Sequence, residues 1–177
     1  MRPLKLEPGR LPAGTSPWNP AALLSTWFGI GLIPFAAGTW GSLAALPFAW
    51  VVQTYAGAVG LLVIAAAIAA IGVWAASRLC ARSSTRDPGF IVIDEVAGMF
   101  LTLVAAPRTW WAYALGFLIF RVADIIKPWP ASWCDRQVHG GLGIMLDDLA
   151  AGLYACVATW LAVTYLPIAD AVRSLDL

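Results

Sequence analysis

The sequence is poor in charge, histidine and cysteine. Only 12% of its 177 residues are charged, whereas 60% are hydrophobic and tryptophan appears 10 times. A water-soluble domain carries about 25% charged residues, so this composition argues against one. The formal net charge is +1, and no run of lysine and arginine with interleaved aromatics occurs. We therefore expect no nucleic-acid partner.

Two further signals are missing. The cysteines Cys80, Cys134 and Cys156 show no Cys-x-x-Cys or Cys/His spacing, so neither a disulfide framework nor a zinc site is predicted. The first seventeen residues are rich in proline and lack the apolar stretch of ~7 to 15 residues that a signal peptide needs. We expect residues 1–17 to be a basic cytoplasmic tail, 18–166 a single membrane-embedded domain and 167–177 a C-terminal tail.

Long apolar runs are what the sequence has in abundance. Residues 57–76 pass 20 positions without a charge, and a helix needs about 20 residues to cross about 30 Å of hydrocarbon. The broken stretch 21–37 favours a helix at the membrane interface, and the glycine-containing segment 131–146 is typical of a loop. Further apolar helices are predicted at about 42–55, 95–106, 110–126 and 148–166. The sequence thus predicts an all-α, polytopic integral membrane protein with about four to five transmembrane or membrane-embedded helices.

The basic residues predict the orientation of these helices. With the N-terminus inside, nine basic residues fall on the inside and two, Arg108 and Arg173, on the outside. Cytoplasmic loops are enriched in lysine and arginine, so the inside is the cytoplasm. The inside residues are Arg2, Lys5, Arg10, Arg78, Arg82, Arg86, Arg121, Lys127 and Arg136. Eight of the ten acidic residues lie on the same side, which predicts that an acidic site would face the cytoplasm.

Two pairs of adjacent acids precede apolar helices. Asp94-Glu95 and Asp147-Asp148 are each followed one turn later by a glycine, Gly98 and Gly152. Helix capping alone is one explanation, although two adjacent acids at membrane depth exceed what a cap requires. Small residues let helices approach closely, and two such helix starts would surround a hard cation such as Mg²⁺ with carboxylate oxygens. Asp87, just upstream of the first pair, is a further candidate ligand.

A third polar group lies within one apolar helix. Asp124 stands three residues from both Arg121 and Lys127, so the three side chains can share one face. An internal salt bridge is the simpler explanation, but charges inside an apolar helix are a functional-site hypothesis by default. We assign Asp124 to the metal, and Arg121 and Lys127 to a substrate phosphate.

Two weaker candidates complete the polar inventory. The turn Gly38–Ser42 opens a predicted helix, whose free N–H groups and the hydroxyls of Thr39 and Ser42 could bind an anion. A plain N-cap by Ser42 explains the same residues. His139, the single histidine, is a candidate general acid, although a lone loop histidine is more often a hydrogen-bonding residue.

Three blocks of sequence carry a family resemblance. GTWGSLAALP, DPGFIVIDEVAGM and FRVADIIKPWPASWCDRQVHGGLGIMLDDLAAG, in this order, resemble the signature blocks of the phosphatidylglycerophosphatase A family, over about Trp18 to Trp160. The resemblance implies an all-helical enzyme of the bacterial inner membrane that depends on Mg²⁺. It implies removal of the terminal phosphate of phosphatidylglycerophosphate to give phosphatidylglycerol, and hence a phosphatase domain over 18–166.

The family pattern also assigns roles to residues of this chain. Arg121 and Lys127 are implied as basic partners of the substrate, and the turn with Thr39 and Ser42 stays a further candidate contact from the residues alone. Asp94, Asp124 and Asp148 are the candidate catalytic residues. The implied metal ligands are Asp87, Asp94, Glu95, Asp124, Asp147 and Asp148.

The residues leave the nucleophile and some rival functions open. Metal-activated water with Asp94 as base is favoured over an aspartyl-phosphate intermediate, because no pattern typical of a covalent route is present. A cation-coupled transporter using the acidic cluster is the main alternative, although the acids lie on one side. A headgroup transferase would need an Asp-Gly-x-x-Ala-Arg block, which is lacking. A membrane scaffold in which the acids only form salt bridges is the third rival.

Overall fold

The computed structural model describes residues 9–83 and 88–165, and all regular structure in these ranges is helical. The predicted all-α class is therefore confirmed. Asp87 lies outside the described residues, as do 1–8 and 166–177, so the tails and this candidate ligand stay predictions. The helices are α1 (Pro20–Ser25), α2 (Ala37–Cys80), α3 (Ile93–Thr102), α4 (Trp110–Ile126), α5 (Ala131–Gln137) and α6 (Gly141–Tyr165).

The interfacial helix predicted at 21–37 is replaced by two short elements. Asn19 caps α1, because its side chain accepts a hydrogen bond from the N–H of Ala21 at 2.9 Å. After α1, Trp27, Phe28 and Gly29 all have positive φ angles, a left-handed conformation that ends a helix. A 3₁₀ turn at Ile30–Leu32 then leads towards α2.

Helix α2 folds back on itself at Gly57. This residue has φ 62° and ψ −159°, a conformation open essentially to glycine alone. A Cβ on Gly41 would lie 2.9 Å from the side chain of Val92, and one on Gly72 would lie 3.3 Å from that of Ile93. Positions 41 and 72 would be about 46 Å apart in a straight helix, at about 1.5 Å per residue. The limbs 37–56 and 58–80 thus correspond to the helix predicted at 42–55 and the apolar run at 57–76.

These contacts define two ends of the molecule. The near end contains the start and finish of α2 beside the start of α3. The far end joins the corner of α2 to the loop between α3 and α4, where the Gln53 side-chain amide donates to the Ala106 carbonyl at 2.8 Å. Arg108 donates to the Thr54 hydroxyl there at 3.1 Å. Helix α4 runs from this far end back to the near end.

Helices α3 and α6 cross in close contact through two glycines. A Cβ on Gly152 would lie 2.6 Å from the carbonyl oxygen of Gly98, and a Cβ on Gly98 would lie 2.8 Å from that of Asp148. No side chain larger than hydrogen fits at either position without movement of the backbone. The predicted role of Gly98 and Gly152 in close helix approach is confirmed.

The prediction of a loop at 131–146 is wrong. It contains α5, and α6 begins at Gly141 instead of near Asp148. A Cβ on Gly141 would lie 2.5 Å from the backbone nitrogen of Ser77, and one on Gly143 would lie 2.1 Å from the Val138 carbonyl oxygen. These glycines are therefore helical residues selected for close packing against α2 and the α5–α6 connection. The sequence pattern, in which glycine disfavours helix, hides this.

The surface of the bundle is strongly apolar. Helices α2 and α6 are long and apolar enough to cross a membrane, and in the most apolar stretch of α2 only 22% of the residues are buried. Large side chains of both limbs of α2 point outwards, among them Val51, Val59, Leu62 and Val63. An extended exposed apolar face is typical of a surface that contacts lipid. The number of crossings stays a prediction.

The corner at Gly57 can be tested with a matched pair of variants. Gly57→Ala and Gly89→Ala both add a methyl group where no atom lies within 4 Å, but only Gly57 has a left-handed φ. We expect Gly57→Ala to destabilise the protein by about 1–3 kcal/mol and Gly89→Ala to change stability little. Apparent melting temperatures in detergent measure the difference. Equal melting temperatures for the two variants would rule out the left-handed corner.

Candidate active site

A cavity of about 210 Å³ opens at the near end of the molecule. The start of α2, the start of α3, the end of α4 and the first turns of α6 surround it. Five of the predicted site residues line it as carboxylates, and two line it as cations. They are Asp94, Glu95, Asp124, Asp147 and Asp148, with Arg121 and Lys127.

Three of the carboxylates are close enough to share one ion. Asp94, Glu95 and Asp148 each offer an oxygen, and these oxygens lie within 4.8 Å of one another. Asp94 and Asp148 are buried. Glu95 Oε2 and Asp148 Oδ2 are buried without a hydrogen-bond partner in the part of the chain that is described. Buried carboxylate oxygens normally have partners, and oxygen ligands from several carboxylates are what Mg²⁺ or Ca²⁺ bind.

The helices explain why these side chains meet. Asp94 and Asp148 each lie four residues before a glycine of the α3–α6 contact, Gly98 and Gly152, and therefore on the same helix face as that glycine. Both helices start at the near end, so the two aspartates lie on the same side of the crossing. Glu95 comes from the first turn of α3.

Arg121 connects the end of α4 to this cluster. Its Nη1 lies 2.7 Å from Asp124 Oδ2 and 4.0 Å from Glu95 Oε1, and it donates to the Ser42 hydroxyl at 3.4 Å. Arg121 Nε is buried and has no hydrogen-bond partner among the described residues. The guanidinium has five N–H donors, so it can bind a further anion while it holds Asp124.

Lys127 and Asp147 form the second ion pair of the cavity. The Lys127 ammonium group contacts Asp147 Oδ2. The other oxygen, Oδ1, accepts a hydrogen bond from the Asp148 N–H at 2.9 Å. Lys127 ends α4 in a left-handed conformation with φ 46°, which turns the chain towards α5. Asp124 and Asp147 thus lie in the cavity as partners of cations, outside the three-residue group.

The first turn of α2 forms the remaining wall. The cavity is lined by Ala36, Ala37 and Gly38 rather than by Thr39 or Ser42, because α2 begins at Ala37, before the predicted start. No side chain caps this helix start, and free N–H groups of such a turn favour an anion. The Ser42 hydroxyl instead donates a hydrogen bond to the Gly38 carbonyl at 2.8 Å. It also accepts the hydrogen bond from Arg121.

His139 and Gly38 also line the cavity. His139 is exposed at the rim, and its Nδ1 lies 3.1 Å from the Gln137 carbonyl oxygen. Gly38 was predicted only as part of the anion-binding turn 38–42, yet a Cβ there would lie 1.9 Å from Glu95 Oε1 and 3.3 Å from Arg121 Nη1. Its signal in the sequence, a glycine in the first turn of a helix, is too common to identify it.

This chain is similar in sequence to known proteins over most of its length. The profile of the family described as PgpA, phosphatidylglycerophosphatase A, matches residues 23–163. The chain belongs to the phosphatidylglycerophosphatase A family. It is therefore a phosphatase by family, as the resemblance predicted, and the matched region contains every cavity carboxylate. No solved structure matches the chain significantly.

Three relatives are similar to this chain over most of its length, and all three are named as phosphatases. Phosphatidylglycerophosphatase A of Escherichia coli K12 is 46% identical over 136 residues, 76% of this chain and 78% of the relative. Phosphatidylglycerophosphatase A of Haemophilus influenzae is 37% identical over 83% of this chain and 90% of its own length. A putative phosphatidylinositol-3-phosphatase of Bacteroides thetaiotaomicron is 36% identical over 78% of this chain and 92% of its own length.

The contact between Gly38 and Glu95 yields a test of the site. In Gly38→Ala the new methyl group would push away the flexible end of Glu95 and disturb Arg121, whereas the fold can absorb the movement. We expect phosphatase turnover to fall about 100-fold, as for a misplaced active-site group, with little change in melting temperature. Gly89→Ala, in the same cavity but with open space around it, should keep its turnover. Similar turnover in the two variants would contradict the placement of Glu95.

Proposed function

We propose that this chain is a Mg²⁺-dependent phosphatase of phospholipid biosynthesis, which hydrolyses phosphatidylglycerophosphate to phosphatidylglycerol and phosphate. The observation that carries the proposal is the group of Asp94, Glu95 and Asp148 oxygens within 4.8 Å of one another. Family membership supports the substrate, since two relatives bear the name phosphatidylglycerophosphatase A.

The donor set fits a hard divalent cation. Buried carboxylates so close together repel each other strongly unless a positive charge lies between them. Asp94, Glu95 and Asp148 would hold Mg²⁺, with Asp124 and Asp147 as neighbouring acids. When bound, the ion would neutralise the carboxylates and polarise the phosphoryl oxygens.

The cations of the cavity would bind the phosphate group. Arg121 has a buried Nε donor still available, and Lys127 lines the same cavity in contact with Asp147. The N–H groups at the start of α2 add a positive helix terminus. Together they would stabilise the negative charge on the phosphoryl oxygens in the transition state, which is the main requirement of phosphoryl transfer.

The hydrolysis itself needs one base and one acid. A water oxygen would bond to phosphorus while the bond from phosphorus to the glycerol oxygen breaks. Asp94 would accept the proton of the water, and the glycerol alkoxide would take up a proton, for which His139 at the rim is a candidate donor. Asp124 and Asp148 would orient the reacting groups.

The position of the cavity suits a lipid substrate. A phosphatase domain over 18–166, embedded in the bacterial cytoplasmic membrane by four to five helices, would keep the acyl chains in the bilayer and the headgroup at the near end. Arg78 and Arg82 lie at this end, and Arg108 lies at the far end. By the enrichment of basic residues on the inner side, the near end would face the cytoplasm.

A transporter is the less favoured function, because the related proteins are named as phosphatases. The name of the Bacteroides relative instead raises a second lipid phosphomonoester, phosphatidylinositol 3-phosphate. The same cavity chemistry would serve either headgroup, so substrate preference requires a direct comparison.

Phosphate release from phosphatidylglycerophosphate in detergent micelles tests the proposal. We expect release by the wild type in Mg²⁺, none in EDTA, and recovery when excess Mg²⁺ is restored. Asp94→Asn and Asp148→Asn should each lose at least about 100-fold in turnover, by analogy with the loss of one transition-state contact. Phosphatidylinositol 3-phosphate and phosphatidate serve as competing substrates.

Asp176→Asn is the matched control, because position 176 lies beyond the family match at 23–163. It should keep wild-type turnover and Mg²⁺ dependence. A folded wild type that releases no phosphate in Mg²⁺ would overturn the proposed function. Full turnover in EDTA would contradict the Mg²⁺ dependence but would still agree with the phosphatase activity.

A further inference from the structure

A second cavity, of about 200 Å³, lies at the near end between the start of α1 and the finish of α2. It shares no lining residue with the active-site cavity. Its polar and aromatic lining side chains are Asn19, Trp74, Arg78 and Arg82, and no carboxylate among the described residues lines it. We call it the basic pocket. Nothing in the proposed hydrolysis uses these residues.

Three side chains of the basic pocket lie in one line along α2 and the turn that follows it. Trp74, Arg78 and Arg82 are spaced four residues apart, so they lie on one face of the helix and of the turn that follows it. Helix α2 ends at Cys80, and Arg82 lies in that turn, where its backbone N–H donates to the Leu79 carbonyl at 3.0 Å. Along this face, the indole ring of Trp74 is therefore followed by the guanidinium groups of Arg78 and Arg82 towards the near end.

The two arginines have donors to offer. Arg78 lies over the Trp74 ring, with its Cζ 5.6 Å from the ring centroid. Stacking occupies the flat face of a guanidinium and leaves its N–H edge able to bind an anion. Neither arginine forms an ion pair with any residue that the structure describes. Asn19 is held as the cap of α1 by its Oδ1, which leaves its amide N–H₂ as a further donor.

The surroundings of the pocket favour a lipid over a soluble anion. Trp74 is 45% exposed, and Ile71, one turn before it, is 44% exposed. Tryptophan is enriched at membrane interfaces, and basic pockets beside membrane helices bind anionic headgroups. A lipid phosphate on Arg78 and Arg82 would have this apolar face directly beneath it for an acyl chain.

We propose that the basic pocket is a second, non-catalytic site that binds the phosphodiester headgroup of an anionic phospholipid. It rests on the membrane embedding proposed above but not on the hydrolysis. Since the proposed product, phosphatidylglycerol, is such a lipid, the pocket would couple the enzyme's stability to the anionic lipid content of its membrane.

The test measures melting temperature in neutral detergent against added short-chain phosphatidylglycerol, with phosphatidylcholine of the same chain length and inorganic phosphate as separate arms. We expect a saturable rise with phosphatidylglycerol and none with phosphatidylcholine, and any rise with inorganic phosphate should be the same in the double arginine variant. In Arg78→Gln/Arg82→Gln the affinity should fall about 30-fold, since each arginine near a membrane surface contributes about 1 kcal/mol. Arg108→Gln, at the far end, is the matched charge control and should keep the wild-type affinity.

Binding in the active-site cavity must be separated from binding in the basic pocket. Lys127→Gln removes a cation of the active site and should leave the phosphatidylglycerol response intact. An unchanged response in the double arginine variant would overturn the proposal. So would an equal response of the wild type to phosphatidylcholine, or a response to inorganic phosphate that is lost in the double arginine variant. Because no turnover is measured, a failed phosphatase assay does not affect this result.

Discussion

The contact between Gly98 and Gly152 is the constraint on which the site depends. It lets α3 and α6 approach until backbone meets backbone, and a Cβ on Gly152 would come within 2.6 Å of the Gly98 carbonyl oxygen. Asp94 and Asp148 lie one turn earlier on the same faces, so the crossing forces their carboxylates together. Like charges held so close are unfavourable by themselves. The packing energy of the apolar bundle maintains an arrangement that the carboxylates would otherwise avoid.

Among the described residues, negative side chains outnumber positive ones around this crossing. Five carboxylates and two cations line the cavity, and both cations are engaged, Arg121 with Asp124 and Lys127 with Asp147. The remaining three carboxylates of the cavity, Asp94, Glu95 and Asp148, offer oxygens within 4.8 Å of one another. A divalent cation is the simplest balance for that group. The ion pairs therefore have a second effect, since they hold two cations beside the position where a phosphate would sit.

Much of this arrangement could be predicted from the sequence, because apolar helices leave few positions for polar residues. The adjacent acids, the glycines one turn later and the charged group on α4 all have spacings that are informative without a structure. The beginning of α6 could not be predicted, because Gly141 and Gly143 disfavour a helix locally and are accommodated by packing against Ser77 and Val138. Asp147 and Asp148 consequently lie inside α6, two turns from its start, instead of at its mouth.

The contact that Gly38 makes in the first turn of α2 could not be predicted for a related reason. Gly38 matters through what lies across the cavity, Glu95 and Arg121, and a contact between residues so far apart in sequence leaves no local pattern. The effect of the fold-back at Gly57 also has no local pattern in the sequence. It brings both termini of one long helix to the near end. One terminus then offers uncapped N–H groups to the active-site cavity, while the other carries Arg78 and Arg82 to the basic pocket. A single glycine corner thus gives one helix two anion-attracting ends at the same level of the molecule.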